Sequence, residues 1–129
     1  MKTPALFFGL GSVFGAIAVA LGALAAHALR SQLADSAMHA FETGVHYQFL
    51  HALALCVVAL WAAHAESDGA TYPTVAGWAF VAGIVMFSGS LYVLALGGPR
   101  WLGPVTPIGG LALIFGWLAL AYGALRRAF

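Results

Sequence analysis

The sequence predicts an all-α fold, an integral membrane bundle of four helices running up and down, and three observations carry that prediction. Of the 129 residues, 63% are hydrophobic and 7% are charged, whereas a soluble domain carries about 25% charged residues. Four apolar stretches of about 20 residues are each long enough to cross the hydrocarbon core as a helix. The charged residues, Lys2, Arg30, Arg100, Arg126, Arg127, Asp35, Glu42, Glu66 and Asp68, lie mostly between those stretches. They are too few to coat a water-facing globule, which excludes a soluble enzyme. A net charge of +1 offers no basic stripe to neutralise phosphates, which excludes nucleic acid as a partner. The single cysteine, Cys56, has no intrachain partner and reads as a small core hydrophobe.

The four spans fall at 5–29, 44–64, 74–96 and 105–125. The first follows Lys2 and contains Ala23-Leu24-Ala25, a pattern that resembles a cleavable signal. Its apolar run exceeds the about 7–15 residues of a signal peptide, so it reads as a retained helix. The polar stretch from Arg30 to Ser36 ends it, and Asp35 or Ser36 is the expected N-cap of the next helix. Glu66-Ser67-Asp68-Gly69 with Pro73 separates the second span from the third, and Gly97-Gly98-Pro99-Arg100 separates the third from the fourth. In the fourth, Thr106 is the expected cap, with Pro107 in the first turn. Connections this short join antiparallel neighbours, so residues 1–129 form one transmembrane domain. Both termini share a side carrying Lys2, Arg126 and Arg127, against Arg30 and Arg100 opposite, which points to cytoplasmic termini.

Lipid gives no hydrophobic drive for helix association, so close packing through small residues has to supply much of it. Helix 1 carries Gly11, Gly15 and Gly22, and helix 4 carries Gly109, Gly116 and Gly123 at a spacing of seven. That repeat holds one face at a shallow left-handed crossing. Helices 1 and 4 are therefore expected to pack along these glycines.

The polar residues concentrate toward one end. Near it lie His27, at the end of helix 1, and His39, Glu42, His46 and His51 in the second helical segment. His39, Glu42 and His46 share a helical face, while His51 is turned about 120° from His39. Tyr47, Gln48, Ser88 and Tyr92 are the other polar candidates, expected to join His27, Glu42 and His51 in a pocket near one interface. Ionisable groups inside a bundle often mark function. His39, Glu42 and His46 are also weak candidates for a metal site, although His-x2-Glu-x3-His matches no strong zinc signature.

Several of these segments together resemble the family known as domain of unknown function 423, small four-helix membrane proteins of bacteria with a eukaryotic transmembrane relative. The carriers are Gly22-Ala23-Leu24-Ala25-Ala26-His27, Glu42-Thr43-Gly44 through Tyr47-Gln48, His51-Ala52-Leu53, Phe87-Ser88-Gly89-Ser90-Leu91-Tyr92, Thr106-Pro107-Ile108-Gly109-Gly110 and Gly116-Trp117. The family pattern at the end of helix 1 reads Gly-Ala-Phe-Gly-Ala-His, so Leu24 and Ala25 depart from it and His27 matches. The resemblance covers nearly the whole chain and implies a multi-pass protein of the bacterial cytoplasmic (inner) membrane. It supplies no activity.

Function then rests on the residues. The expected role is non-enzymatic: an accessory protein that binds a lipid-like ligand or partner helices through the polar pocket, alone or as a homo-oligomer. The rival readings are a proton-coupled transporter or channel subunit, built on Glu42 and the histidines, and a metal-binding membrane protein. No cofactor is identified, and no nucleophile, base and orienting residue stand together as reaction machinery.

Overall fold

A computed structural model describes residues 2–65 and 69–129. Its four long helices are α1 (Lys2–Leu29), α2 (Asp35–His64), α3 (Thr71–Ala95) and α4 (Val105–Ala128), each long and apolar enough to cross a membrane. Among the described residues there is no strand. The up-and-down bundle is as the sequence implies, and α2 begins at Asp35, ahead of the apolar run at 44–64, because the polar residues of its first turns interrupt apolarity without interrupting the helix. Glu66, Ser67 and Asp68, expected to break the second span from the third, lie outside the described residues.

Neither expected cap forms. Ala34 precedes α2 in an extended conformation with no side-chain cap, and Asp35 is already helical. Thr106 lies inside α4 and instead pairs with Ser90 of α3 at 2.5 Å. Because the Ser90 hydroxyl donates to the Phe87 carbonyl, Thr106 is the donor in that pair. A double-mutant cycle of Thr106→Val and Ser90→Ala, read by unfolding in mixed micelles, is expected to give a coupling of about 0.6 kcal/mol, the average for interhelical bonds in membranes. A coupling of zero would return Thr106 to a local role. At the far end of α3, Gly97 adopts φ 89°, Gly98 N–H donates to Val93 O, and Gly97 N–H donates to Leu94 O. This is a Schellman termination, which requires the left-handed conformation glycine adopts freely.

The helices associate as two hairpins. α1 packs along α2, α3 packs along α4, and α2 joins α3 between them, while no packing seam connects α1 to α4. The expected pairing of helices 1 and 4 is thus corrected: each glycine row meets the adjacent helix in sequence. A Cβ on Gly11 would sit 2.8 Å from the Ala52 carbonyl oxygen of α2, and Gly15 and Gly22 face α2 more loosely. Gly109 lies against the backbone of Met86 and Phe87, Gly116 against the Phe80 ring, and Gly123 against Tyr72, all on α3. A seven-residue repeat marks a face for close approach without naming the partner, and short connections favour sequential neighbours.

A wide π-helical turn at Ile84–Ser88 interrupts α3 where Gly109 approaches, and a second, Ala25–Leu29, ends α1. Two apolar cores fill the bundle. One joins Phe7, Leu55, Val58, Phe80 and Leu113 toward the termini; the other joins Ala25, Met38, Phe41 and Ala95 toward the opposite end. Between them lies a polar layer.

Candidate functional site

The layer is centred on Gln48, which is 3% exposed. Its Nε2 donates to the Phe14 carbonyl of α1 at 2.9 Å, and its Oε1 accepts from the Tyr92 hydroxyl of α3 at 2.7 Å. One side chain thereby ties three helices. Tyr92 packs on Phe41 with ring centroids 4.9 Å apart, and it fits because residue 44 is glycine: a Cβ there would stand 2.7 Å from the Tyr92 ring. Ser88, fully buried, donates to the Gly44 carbonyl at 2.7 Å. Among the described residues every buried side-chain nitrogen or oxygen has a partner, as the absence of water in a bilayer core demands.

His51 forms a second polar unit, directed at α4. It is 4% exposed, with Nδ1 2.7 Å from the Tyr47 carbonyl and Nε2 3.0 Å from the indole Nε1 of Trp117. An indole N–H only donates and a carbonyl only accepts. The ring is therefore the neutral tautomer with its proton on Nδ1, held between α2 and α4. Phe80 and Tyr47 flank it, the latter stacked at 6.0 Å.

The seven expected pocket residues are consequently not gathered in one cavity. Gln48, Ser88 and Tyr92 make the buried layer, and His51 points to a different neighbour. His27 is exposed at the end of α1, apart from both. Glu42 is exposed and lies 3.9 Å from Arg30, a separation at which an exposed ion pair contributes little. Gln48 and His51 flank the midpoint of the 30-residue α2, and Trp117 lies at the middle of α4. These groups sit at the middle of their helices.

The three weak metal candidates, His39, Glu42 and His46, do share an outward face of α2. Among the described residues no group of three metal-ligating side chains converges. The reason is axial rise: His39 and His46, seven residues apart, are separated by about 10 Å along the helix, too far to share one ion.

Two of the crevices that flank α2 have polar residues in their lining from its first half. One, of about 380 Å³, lies between α1 and α2 and is lined by small residues such as Ala18, Gly22 and Ala25, with Glu42 and His46 at its edge. The larger, of about 530 Å³, lies between α2 and α4 and is lined by His46, Tyr47, Leu50, His51, Phe87, Gly110, Leu113, Ile114 and Trp117. It exists because α2 and α4 approach each other loosely, each packed on α3, with Trp117 and His51 bonded across the gap. Trp117 was not among the expected site residues. Its one available signal was an indole donor in mid-span, which inside hydrocarbon needs an acceptor on another helix.

The family model described as "Protein of unknown function (DUF423)" matches residues 21–110, which include the polar layer and His51. The UPF0382 membrane protein YwdK of Bacillus subtilis is 41% identical over 121 residues, covering 94% of this chain and 97% of that protein. A UPF0382 membrane protein of Staphylococcus epidermidis is 43% identical over 125 residues, 95% and 98% of the two chains. One from Haemophilus influenzae is 38% identical over 120 residues, 93% and 94%. No solved structure matches the chain. A family match across most of the sequence, relatives covered almost end to end, and four apolar helices agree: the chain belongs to the DUF423 family of small membrane proteins.

Proposed function

We propose that this protein is a non-enzymatic accessory protein of the bacterial cytoplasmic membrane, with its termini on the cytoplasmic side, that holds a lipid-like amphiphile in the crevice between α2 and α4. The observation that carries this reading is a crevice of about 530 Å³ between two spanning helices whose wall includes the His51–Trp117 pair. Leu50, Leu113 and Ile114 give it an apolar lining. The exposed side chains of Tyr47 and His46 bring polar atoms to its edge. In hydrocarbon such atoms are costly unless something bonds to them, and a chain with a hydroxyl or carbonyl group satisfies both the lining and the edge. A spanning helix bundle suits the cytoplasmic membrane, whereas outer-membrane spans are barrels. The excess of Lys2, Arg126 and Arg127 over Arg30 and Arg100 supports the orientation.

The test is native mass spectrometry of protein carried from its own membrane into lipid nanodiscs. A retained amphiphile is expected, and Gly110→Leu is expected to remove it by filling the crevice. A Cβ at Gly110 meets only the Phe87 ring, at 3.6 and 3.8 Å, so the helix backbone accepts the side chain. His51→Ala should weaken retention by opening the Trp117 contact. A protein that carries no amphiphile, or one retained equally by Gly110→Leu, contradicts the reading. A homo-oligomer or a stable hetero-complex in the same spectra, with no amphiphile, would assign the α2 face to partner helices instead.

A further inference from the structure

At the end of the bundle that carries the termini, independent of the crevice, α3 and α4 enclose a cavity of about 170 Å³ lined by Gly69, Tyr72, Gly123, Arg126 and Arg127. We propose that it binds the phosphate of an anionic lipid headgroup. Its two guanidinium groups come from the last turn of α4. Arg126 Nη1 donates to the Tyr72 hydroxyl at 2.9 Å, and its guanidinium stands over the Tyr72 ring, 5.4 Å from the centroid. The hydroxyl accepts in that bond and keeps its own proton to donate, so the held tyrosine offers a donor beside a cation. Arg127 lies across Gly69 in the space a Cβ would occupy, and Gly123 lets the Tyr72 ring lie against α4. The tyrosine holds Arg126, and the absence of a side chain at Gly69 leaves room for Arg127. Two forked donors lining one cavity suit a phosphate's several acceptor oxygens.

Depth identifies the source of the phosphate. The cavity lies at the first turn of α3 and the last of α4, where headgroups meet the helix ends. Tyr122 packs edge-on against Tyr72 at 5.2 Å, and amphipathic rings of this kind collect at the membrane interface. Basic cavities between spanning helices at this level receive acidic lipid headgroups.

The experiment uses the full chain in detergent, presented with phosphatidylglycerol and phosphatidylcholine in equal amounts and examined by native mass spectrometry. Phosphatidylglycerol is expected to be retained preferentially, with a loss of about five-fold on Arg126→Gln or Arg127→Gln and about 25-fold for the pair, following the contribution of one basic residue near an anionic surface. Arg100→Gln, at the opposite end, should leave the preference unchanged. The double Arg→Lys variant, which keeps the charge and loses the forks, should retain more of it than the double Arg→Gln variant, which separates charge from folding. Displacement of the lipid by excess inorganic phosphate, with phosphate itself binding, would keep the site and identify free phosphate as its ligand. Equal retention of both lipids with no phosphate binding, or a preference that survives the double Arg→Gln change, would overturn the proposal.

Discussion

Adding a single methyl group at Gly109 is expected to destabilise the α3–α4 hairpin by about 3 kcal/mol, at the upper end of overpacking penalties. The Cβ of Gly109→Ala would stand 2.8 Å from the Met86 carbonyl carbon and the Phe87 Cα, and closer still to the Phe87 amide nitrogen. These are backbone atoms in the π-helical turn of α3, and no rotamer change moves them aside. Separating the helices far enough would also loosen Gly83 against Leu113 and Gly116 against Phe80, which share the seam. Gly116→Leu should be similarly harmful, because its Cβ would meet the buried Phe80 ring at 2.6 Å. Gly89→Ala is the control: nothing lies within 4 Å of its Cβ, and its effect should stay within about 0.5 kcal/mol. Unfolding in mixed micelles, followed by tryptophan fluorescence, measures all three. A Gly109→Ala protein as stable as its parent would refute the close approach.

Gln48→Leu is expected to cost about 2 kcal/mol, more than one average membrane hydrogen bond, because it removes two bonds to two different helices and strands the Tyr92 hydroxyl. The informative comparison is the double variant Gln48→Leu/Tyr92→Phe. Removing both partners leaves no orphan hydroxyl, so the double variant should be more stable than Gln48→Leu alone. The same unfolding measurement decides it. If Tyr92→Phe instead adds its own full penalty to that of Gln48→Leu, the two side chains do not act on each other, and the polar layer is not the tie between α1, α2 and α3.

What could be read from sequence follows from which physical signal is one-dimensional. The four spans were legible because hydrocarbon thickness sets the length of an apolar run, and the glycine rows because a repeat of seven marks a face. The start of α2 was marked by Asp35 and Ser36, although His39, Glu42 and His46 lower the apolarity of its first turns. The partner of each glycine row is a choice among helices, and the repeat is silent on it. The same gap scattered the expected pocket. A helical wheel turns His51 away from His39, but only the packing of α2 between α1 and α3 shows that Gln48 reaches Phe14 and Tyr92 while His51 reaches Trp117. Arg127 over Gly69 joins residues far apart in the chain, and no local pattern announces it.

Two hairpins join through α2 and α3 and leave α1 apart from α4, and the crevice depends on this arrangement. Disulfide trapping in native membranes tests it most directly, using cysteine pairs in a Cys56→Ala background. A Cβ on Gly15 would lie 3.9 Å from that of Ala52, within the about 3.5–4.5 Å that a disulfide spans. Gly15→Cys with Ala52→Cys is expected to cross-link readily within one chain. Gly15→Cys with Ala112→Cys or Ala119→Cys, on the glycine-bearing side of α4, should remain reduced. An efficient cross-link between α1 and α4, with none between α1 and α2, would contradict the arrangement and close the crevice with it.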